Sequence, residues 1–242
     1  MSGKKAVVSR RRWAKSDHLW KDHDPPPSTA PVDHGRSFDW TRQLTTTRFR
    51  WQRPDAMQVD PMDLIQLLNG AGVKFILMGH YGISGWLSQT RMTHDVDVLV
   101  RKRDHTKAVR AIHEAYPSLT QVDNIVVTRF LNPDNGDPVI DVMKPHDLYA
   151  EAFKNTVRVA DSHEVPNLEL ALAAKFAALV SRNREIEKKY LDASDFIQLV
   201  KRNHAAIDEV KLRQLGDAVY GAGGDELLKF VADVKAGRRL RV

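Results

Sequence analysis

The pattern of apolar and polar positions becomes regular only after about residue 57 of the 242-residue chain. From there, apolar residues recur at helical spacing and in short runs typical of strands, so helices and strands alternate. Asp60 followed by Pro61 is a typical helix start, with a capping carboxylate and a proline at the first helical position. The predicted elements are a helix at 60–70, a strand at 73–78, a short helix near 83–87, a strand at 95–100 and a helix at about 104–115.

The second half of the pattern starts with a hairpin and continues as helices. Asn135-Gly136 favours a tight turn, so the flanking apolar runs at 125–131 and 138–143 are predicted to pair as antiparallel strands. The glycine-rich stretch 221–224 is interpreted as a linker between two helices, because no strand precedes it. The predicted fold class is therefore α/β (α+β), a mixed sheet with flanking helices followed by a C-terminal helical region. The helices of that region are expected at 167–183, 187–203, 207–220 and 225–236.

Residues 1–56 lack a sustained period of 2 or 3.6 and are interpreted as a basic, largely irregular arm. The chain's formal net charge of +6 resides in this arm, since the charges of the remainder balance. Stacking aromatics interleaved with arginines suit single-stranded nucleic acid, which is one interpretation. The other is an extended arm that packs its tryptophans on the globular body. Four of the five tryptophans lie here: Trp13, Trp20, Trp40 and Trp51.

Composition excludes several classes of protein. The content of 42% hydrophobic and 28% charged residues is ordinary for a globular protein. The absence of cysteine excludes disulfides and thiolate metal sites, and it fits an intracellular enzyme. No apolar run approaches the length of a membrane span, and the basic N-terminus lacks the apolar core of a secretory signal. We therefore expect a cytoplasmic protein without a membrane partner.

Candidate chemistry lies in the strand at 95–100. Asp95 and Asp97 alternate with apolar residues, so both carboxylates point to the same face of the strand. Adjacent like charges repel each other there, and a divalent cation would remove that repulsion. Asp141 occupies a similar position in the apolar run 138–143. If the two strands are neighbours, three carboxylates converge, which is about the number that two Mg²⁺ ions and substrate phosphates require. Mn²⁺ is the alternative ion.

The same region resembles a known family. Gly79, a short helix and then Arg91-x-Thr93-x-Asp95-x-Asp97 resemble the nucleotidyltransferase fold of the DNA polymerase β superfamily. The resemblance extends to the minimal nucleotidyltransferases and to the abortive-infection type nucleotidyltransferase toxins. It implies a nucleotidyltransferase-like domain at 57–165 and a helical domain at 166–242. It also implies that the aspartates are catalytic and bind Mg²⁺, with the third one orienting the attacking hydroxyl. The residues implied to bind nucleotide are Gly79, His80, Ser84, Arg91, Thr93, Lys175 and Asp192.

The helical half carries weaker matches. Residues 170–175 resemble the family helix whose lysine, here Lys175, reaches the nucleotide phosphates; a surface lysine is the alternative. Residues 188–195 resemble the basic-Asp-x-x-Asp helix of the toxin-like members, with Asp192 as the first aspartate. His80 stands where the family usually has Gly or Ser, so its side chain either narrows the nucleotide site or contacts a phosphate.

The resemblance implies transfer of a nucleoside monophosphate from a nucleoside triphosphate such as ATP to a hydroxyl acceptor. That acceptor is RNA, a protein or a small molecule, and the activity is toxin-like in some members. The alternative is a binding module of the same fold without catalysis, antitoxin-like or an accessory to nucleic-acid binding. The sequence leaves the nucleotide, the acceptor and the oligomeric state open.

Overall fold

The structure is a computed structural model that describes residues 32–52, 57–160 and 162–240. In these ranges the predicted fold class is confirmed, since strands and helices alternate first and helices alone follow. The helices are α1 (His34–Gln52), α2 (Pro61–Gly70), α3 (Gly79–Ile83), α4 (His105–Ala115), α5 (Leu168–Val180), α6 (Ile186–Asn203), α7 (Glu209–Val219) and α8 (Gly223–Lys235). The strands are β1 (Phe75–Leu77), β2 (Val96–Val100), β3 (Thr120–Asp123), β4 (Val127–Leu131), β5 (Pro138–Met143), β6 (Thr156–Val159) and β7 (His163–Pro166).

Capping side chains determine where two of these helices begin. The carboxylate of Asp60 accepts a hydrogen bond from the amide of Met62, as the Asp-Pro start of α2 predicts. The side chain of Asn167 accepts one from the amide of Leu170 and starts α5 directly after β7. In both cases a local side chain satisfies an N–H group that the helix leaves free. None of the helices in the described ranges is long and apolar enough to cross a membrane.

A mixed sheet forms the centre of the fold. Among the described residues it has five strands in the order β1-β2-β5-β4-β3, while β6 and β7 form a separate antiparallel pair. Strands β2 and β5 are parallel, and the other neighbours are antiparallel. The hairpin predicted around Asn135-Gly136 is thereby confirmed as β4 and β5. The parallel pairing brings the two acidic strands side by side.

Each face of the sheet is covered by helices. Successive strand residues point to opposite faces, and one face packs on α2 and α4 through Leu64, Val98 and Ile112. The opposite face packs on the C-terminal helices, with Leu99 and Phe176 fully buried between them. The aspartate of β2 is in phase with Leu99, so it points toward the helical half of the chain.

Residues 34–52 form α1, so the expectation of a largely irregular segment is wrong for this part of residues 1–56. The helix has no clear apolar stripe that periodicity could reveal. Phe38 is buried in the core, and the hydroxyl-bearing Thr41 and Thr45 are fully buried. Tertiary contacts therefore stabilise α1, as they do for most helices in proteins.

The tryptophans of the predicted arm do not share one environment. Trp40 lies on α1 with 64% of its surface exposed, so the packing interpretation is wrong for this residue. Trp13 and Trp20 lie outside the described residues, as does the side chain of Trp51. The interpretation of the arm as a nucleic-acid contact stays a prediction.

The remaining differences concern short elements. Strand β1 is shorter than the predicted 73–78, and the predicted helix near 83–87 is replaced by α3 and a 3₁₀ turn at Ser84–Trp86. Strands β3, β6 and β7 have no counterpart in the predicted elements; every residue of β3 is exposed, so it carries no apolar alternation. The predicted linker 221–224 contains the start of α8 at Gly223.

Candidate active site

The three predicted carboxylates lie on one face of the sheet. Asp97 of β2 and Asp141 of β5 are direct neighbours in the parallel register, so their side chains point to the same side. Asp95 directly precedes β2 and is in phase with Asp97. All three line one cavity of about 340 Å³, a size that suits a small-molecule ligand. The condition for convergence, that the strand of Asp141 lies beside the strand of Asp97, is met.

The cavity lies between this face of the sheet and helices α5 and α6. It brings together all but one of the residues predicted to bind nucleotide. Its lining combines carboxylates with a similar number of cations. The lining residues are Gly79, His80, Arg91, Thr93, His94, Asp95, Asp97, Arg129, Asp137, Pro138, Asp141, Lys175, Arg184, Lys188, Leu191 and Asp192.

Gly79 has a structural reason to be glycine. Its φ of +58° lies in the left-handed region, which glycine adopts without steric cost. A Cβ atom at this position would lie 1.9 Å from Oδ2 of Asp97. The glycine therefore allows the backbone at the end of β1 to approach the Asp97 carboxylate.

The carboxylates disfavour one another's ionisation. Burial and the neighbouring Asp95 and Asp141 raise the pKa of Asp97 well above its ordinary value. Burial also raises the pKa of Asp141 to about 6, although the Arg129 guanidinium beside it acts in the opposite direction. Raised pKa values at convergent carboxylates are typical of functional sites.

The carboxylates of Asp95, Asp97 and Asp141 suit a hard divalent cation, both as oxygen ligands and in their negative charge. Among the described residues, no three His, Asp or Glu side chains already stand in an arrangement that could hold a metal ion. However, Oδ1 of Asp141 is buried and has no hydrogen-bond partner within the described part of the chain. Carboxylate oxygens are the ligands that Mg²⁺ prefers, and a cation here would relieve the repulsion that adds to burial in raising the pKa of Asp97.

A network of buried charges forms the wall opposite the sheet. Nζ of Lys175 lies 2.8 Å from Oδ1 of Asp192 and 2.8 Å from Oδ2 of Asp195. Arg184 contacts Asp192 at 2.8 Å, and Arg91 contacts Asp195 at 2.9 Å. Lys175 is only 8% exposed, so the alternative interpretation as a surface lysine is wrong.

Asp195 is the centre of this network. Burial opposes its ionisation, but the His80 imidazole and the cations Lys175 and Arg91 outweigh burial and hold the pKa of this carboxyl well below its usual range. Asp195 is therefore ionised at neutral pH. Its charge ties α5, α6 and the segment around Arg91 together.

Protein groups face both ring nitrogens of His80. Nε2 accepts a hydrogen bond from the backbone N–H of Arg91 at 3.1 Å, so the ring proton is on Nδ1. Nδ1 faces Oδ2 of Asp195 at 3.7 Å, which is an electrostatic contact beyond hydrogen-bond distance. Burial lowers the pKa of His80, so the ring is neutral at neutral pH. His80 thus lines the cavity and also anchors the backbone at Arg91.

Thr93 and Ser84, which were both predicted to bind nucleotide, differ in their position relative to the cavity. The hydroxyl of Thr93 donates to Oδ1 of Asp95 at 3.2 Å and so orients that carboxylate. Ser84 is buried, and its hydroxyl donates to the carbonyl of Tyr81 at 3.0 Å. Within the described ranges, Ser84 does not line the cavity, in contrast to the prediction.

The sequence analysis assigned no site role to three cavity cations, Arg129, Arg184 and Lys188, although Lys188 lies within the matched residues 188–195. Arg129 is the cross-strand neighbour of Asp141, and its Nε lies 3.3 Å from Oδ2 of that carboxylate. A charged residue in the middle of the apolar run of β4 was the available signal. Arg184 lies before α6, where no periodicity marks it.

No family model and no curated protein matches the chain. Among solved structures, an antigenic nucleotidyltransferase-like protein from Paracoccidioides brasiliensis is 14% identical, with 74% of this chain and 92% of that chain covered and a TM-score of 0.40. JHP933 from Helicobacter pylori is 14% identical, with coverages of 73% and 88% and a TM-score of 0.43. The Thermotoga maritima CCA-adding enzyme, complexed with tRNA, is 10% identical, with coverages of 75% and 53% and a TM-score of 0.31. Each TM-score is below 0.5, so the chemistry of the site has to be inferred from its own residues.

Proposed function

We propose that this chain is a Mg²⁺-dependent nucleotidyltransferase, which moves a nucleoside monophosphate from a nucleoside triphosphate to a hydroxyl acceptor. The observation that supports this most is the charge arrangement of the cavity. Three carboxylates share its sheet wall, and their pKa values are raised at Asp97 and Asp141. Cations occupy the opposite wall. The divalent cation of a bound triphosphate would supply positive charge to the carboxylates of the sheet wall. The phosphates would supply negative charge to the cations of the opposite wall.

Asp95, Asp97 and Asp141 would hold one or two Mg²⁺ ions, with Mn²⁺ as the alternative. When bound, the ions supply neutralisation of phosphate charge. Asp141 has a further role, because its buried Oδ1 lacks a partner among the described residues and can accept the proton of the acceptor hydroxyl. The acceptor oxygen then forms a bond to the α-phosphorus, and pyrophosphate leaves.

Lys175, Arg91 and Arg184 would bind the phosphates. An ammonium group has three N–H donors, and two carboxylates take two of those of Lys175, so one remains for an incoming oxygen. The carboxylates of Asp192 and Asp195 hold these cations in place before substrate arrives. Because such preorganised cations need not move during the reaction, they are suited to stabilising charge on a transferring phosphoryl group.

The direct test is incubation with each labelled nucleoside triphosphate, Mg²⁺ and total RNA, total protein or small hydroxyl compounds. We expect transfer of label that requires Mg²⁺, and a loss of about a hundredfold or more in Asp97→Asn. Asp134→Asn, an exposed residue of the β4–β5 turn, is the matched control and should retain activity. Mg²⁺ with triphosphate should also raise the melting temperature of the wild type but not of Asp97→Asn. An equal shift of the melting temperature in both proteins would show that Asp97 is not a ligand of the metal ion.

A toxin-like role follows if the acceptor is an essential RNA or protein. Induced expression in a bacterial host should then arrest growth, and Asp97→Asn should abolish the arrest.

The second candidate function is a binding module without catalysis. It is favoured by Asp192 and Asp195, which already neutralise the phosphate-binding cations. Nucleotide binding by the wild type without transfer to any acceptor would support that alternative.

A further inference from the structure

Helix α1 contacts the segment that leads into strand β2, which carries Asp97. Thr41 and Thr45 of α1 are both fully buried although each carries a hydroxyl. The hydroxyls of Thr41 and Thr90 are 2.6 Å apart and form a hydrogen bond. The hydroxyl of Thr45 accepts a hydrogen bond from the backbone N–H of Thr93 at 3.4 Å. Two threonines one helical turn apart therefore bind residues 90 and 93 of one short segment.

This segment carries side chains of the proposed active site. Between the 3₁₀ turn at Ser84–Trp86 and strand β2 it has no regular secondary structure, so no sheet or helix bonds fix its backbone. Within it, Arg91 contacts Asp195 at 2.9 Å, and Thr93 donates to the carboxylate of Asp95. A backbone N–H without a partner is costly when buried, so the Thr45 hydroxyl is what fixes the amide of Thr93.

Apolar packing of α1 is separate from these hydroxyl contacts. The ring of Phe38 lies 6.0 Å from that of Tyr81 and 5.2 Å from that of His163, between centroids. His34 packs edge-on against Trp86 at 4.7 Å. These rings attach α1 to the body. The two buried hydroxyls have further partners as well, since that of Thr41 donates to the carbonyl of Ser37 at 2.8 Å and that of Thr45 is hydrogen-bonded to Tyr81.

We propose that Thr41 and Thr45 are positioning residues, which hold the segment 90–95 so that Arg91 and Asp95 face the cavity. This inference rests on the proposed nucleotidyl transfer, because transfer is what the segment would serve. Helix α1 is then a part of the active site that lies outside the region resembling the nucleotidyltransferase fold. Reacting groups displaced by about 1 Å can lose roughly a hundredfold in rate, so a lost hydroxyl contact has a measurable effect.

The chain offers a matched set of substitutions in the run Thr45-Thr46-Thr47. Thr45→Val keeps the side-chain volume and removes the hydroxyl, whereas Thr45→Ser keeps the hydroxyl and removes a methyl group. Thr47→Val makes the same chemical change as Thr45→Val at an exposed position of the same helix. We expect Thr45→Val to lower kcat at least about tenfold with little change in KM for the triphosphate. Thr45→Ser and Thr47→Val should stay near wild type.

A purely structural role would give another pattern. Loss of packing would make Thr45→Ser at least as impaired as Thr45→Val, and activity would follow melting temperature across the set. Either result would overturn the positioning role. Thr41→Val should reproduce the effect of Thr45→Val, since it removes the contact to residue 90 of the same segment.

Amide hydrogen exchange of residues 88–95 keeps the inference testable without activity. We expect faster exchange of this peptide in Thr45→Val than in Thr45→Ser, Thr47→Val or wild type, because only Thr45→Val frees the amide of Thr93. Equal exchange in all four proteins would overturn the inference. If wild type transfers no nucleotide to any acceptor, the proposed function fails, while the exchange result still stands on its own.

Discussion

Replacing Asp141 by Asn should stabilise the metal-free protein at alkaline pH. In the folded protein burial raises the pKa of this carboxyl to about 6, compared with its ordinary value of 3.8. Between these two values the folded state binds more protons than the unfolded state, so stability falls as pH rises through this window. Once both states are ionised, the ionised carboxylate costs about 3 kcal/mol of unfolding free energy. Asparagine has the same shape without the charge and removes this cost.

The expected gain in Asp141→Asn is therefore up to about 3 kcal/mol at pH 8, and it should fall well below about 1 kcal/mol near pH 4, where the folded carboxyl is protonated and the unfolded one is about half ionised. Loss of the partner of Arg129 subtracts little, since the Arg129 side chain is 44% exposed. The same substitution should abolish nucleotidyl transfer, because it removes the proposed base. Stability and activity would thus change in opposite directions at this residue.

Urea unfolding at pH 4, 6 and 8 in the presence of a metal chelator measures the effect. Asp134→Asn, at an exposed turn position, is the matched control and should leave the unfolding free energy nearly unchanged at each pH. If Asp141→Asn is less stable than wild type at pH 8, or gains equally at pH 4 and pH 8, the raised pKa assigned to the buried Asp141 is incorrect.

Three further predictions concern other charged groups. Lys175→Ala should cost about 3 kcal/mol or more in unfolding free energy, because it leaves two buried carboxylates without their shared cation; Lys201→Ala, at an exposed site of α6, should cost little. Burial lowers the pKa of His163 to about 4, so stability should fall by about 3 kcal/mol as pH drops from 6.5 to 4, and His163→Phe should remove that loss in acid unfolding curves. Deletion of residues 1–31, which keeps α1, should weaken RNA binding and flatten its dependence on salt in filter-binding assays.

Each of these predictions has an opposing outcome. A Lys175→Ala protein as stable as Lys201→Ala would mean that solvent reaches the two carboxylates. An acid unfolding curve identical in wild type and His163→Phe would place the acid sensitivity elsewhere. Unchanged salt dependence after removal of residues 1–31 would exclude that segment from RNA binding.

The sequence alone predicted the parts of the protein that local patterns determine. Asp60 with Pro61, the turn Asn135-Gly136 and the alternation around Asp97 each depend on neighbours within a few residues, so their structures could be predicted. Strand alternation also predicted that Asp95 and Asp97 share a face. The pairing of β2 with β5 was a conditional expectation, which the parallel register then confirmed.

Only the tertiary structure revealed how the cations of the site are held. Lys175 fits a solvated helix lysine as well as a phosphate ligand by sequence, but its contacts to Asp192 and Asp195 bury it. His80 was expected to narrow the site or to contact phosphate; it lines the cavity, and only the structure shows that its ring also binds the backbone of Arg91. Such contacts join residues far apart along the chain, and no local period encodes them.

Helix α1 shows the same limit most clearly. Thr45 and Thr47 are the same residue type two positions apart, yet Thr45 is fully buried and Thr47 is exposed. Apolar periodicity does not distinguish them, because a hydroxyl counts as polar whether it meets water or a buried backbone amide. The sequence therefore determined the acidic strands of the site, while the tertiary structure determined which polar side chains hold those strands and their partners in place. The physical reason is that a buried hydrogen bond depends on the distance between two distant segments, and that distance exists only in the folded chain.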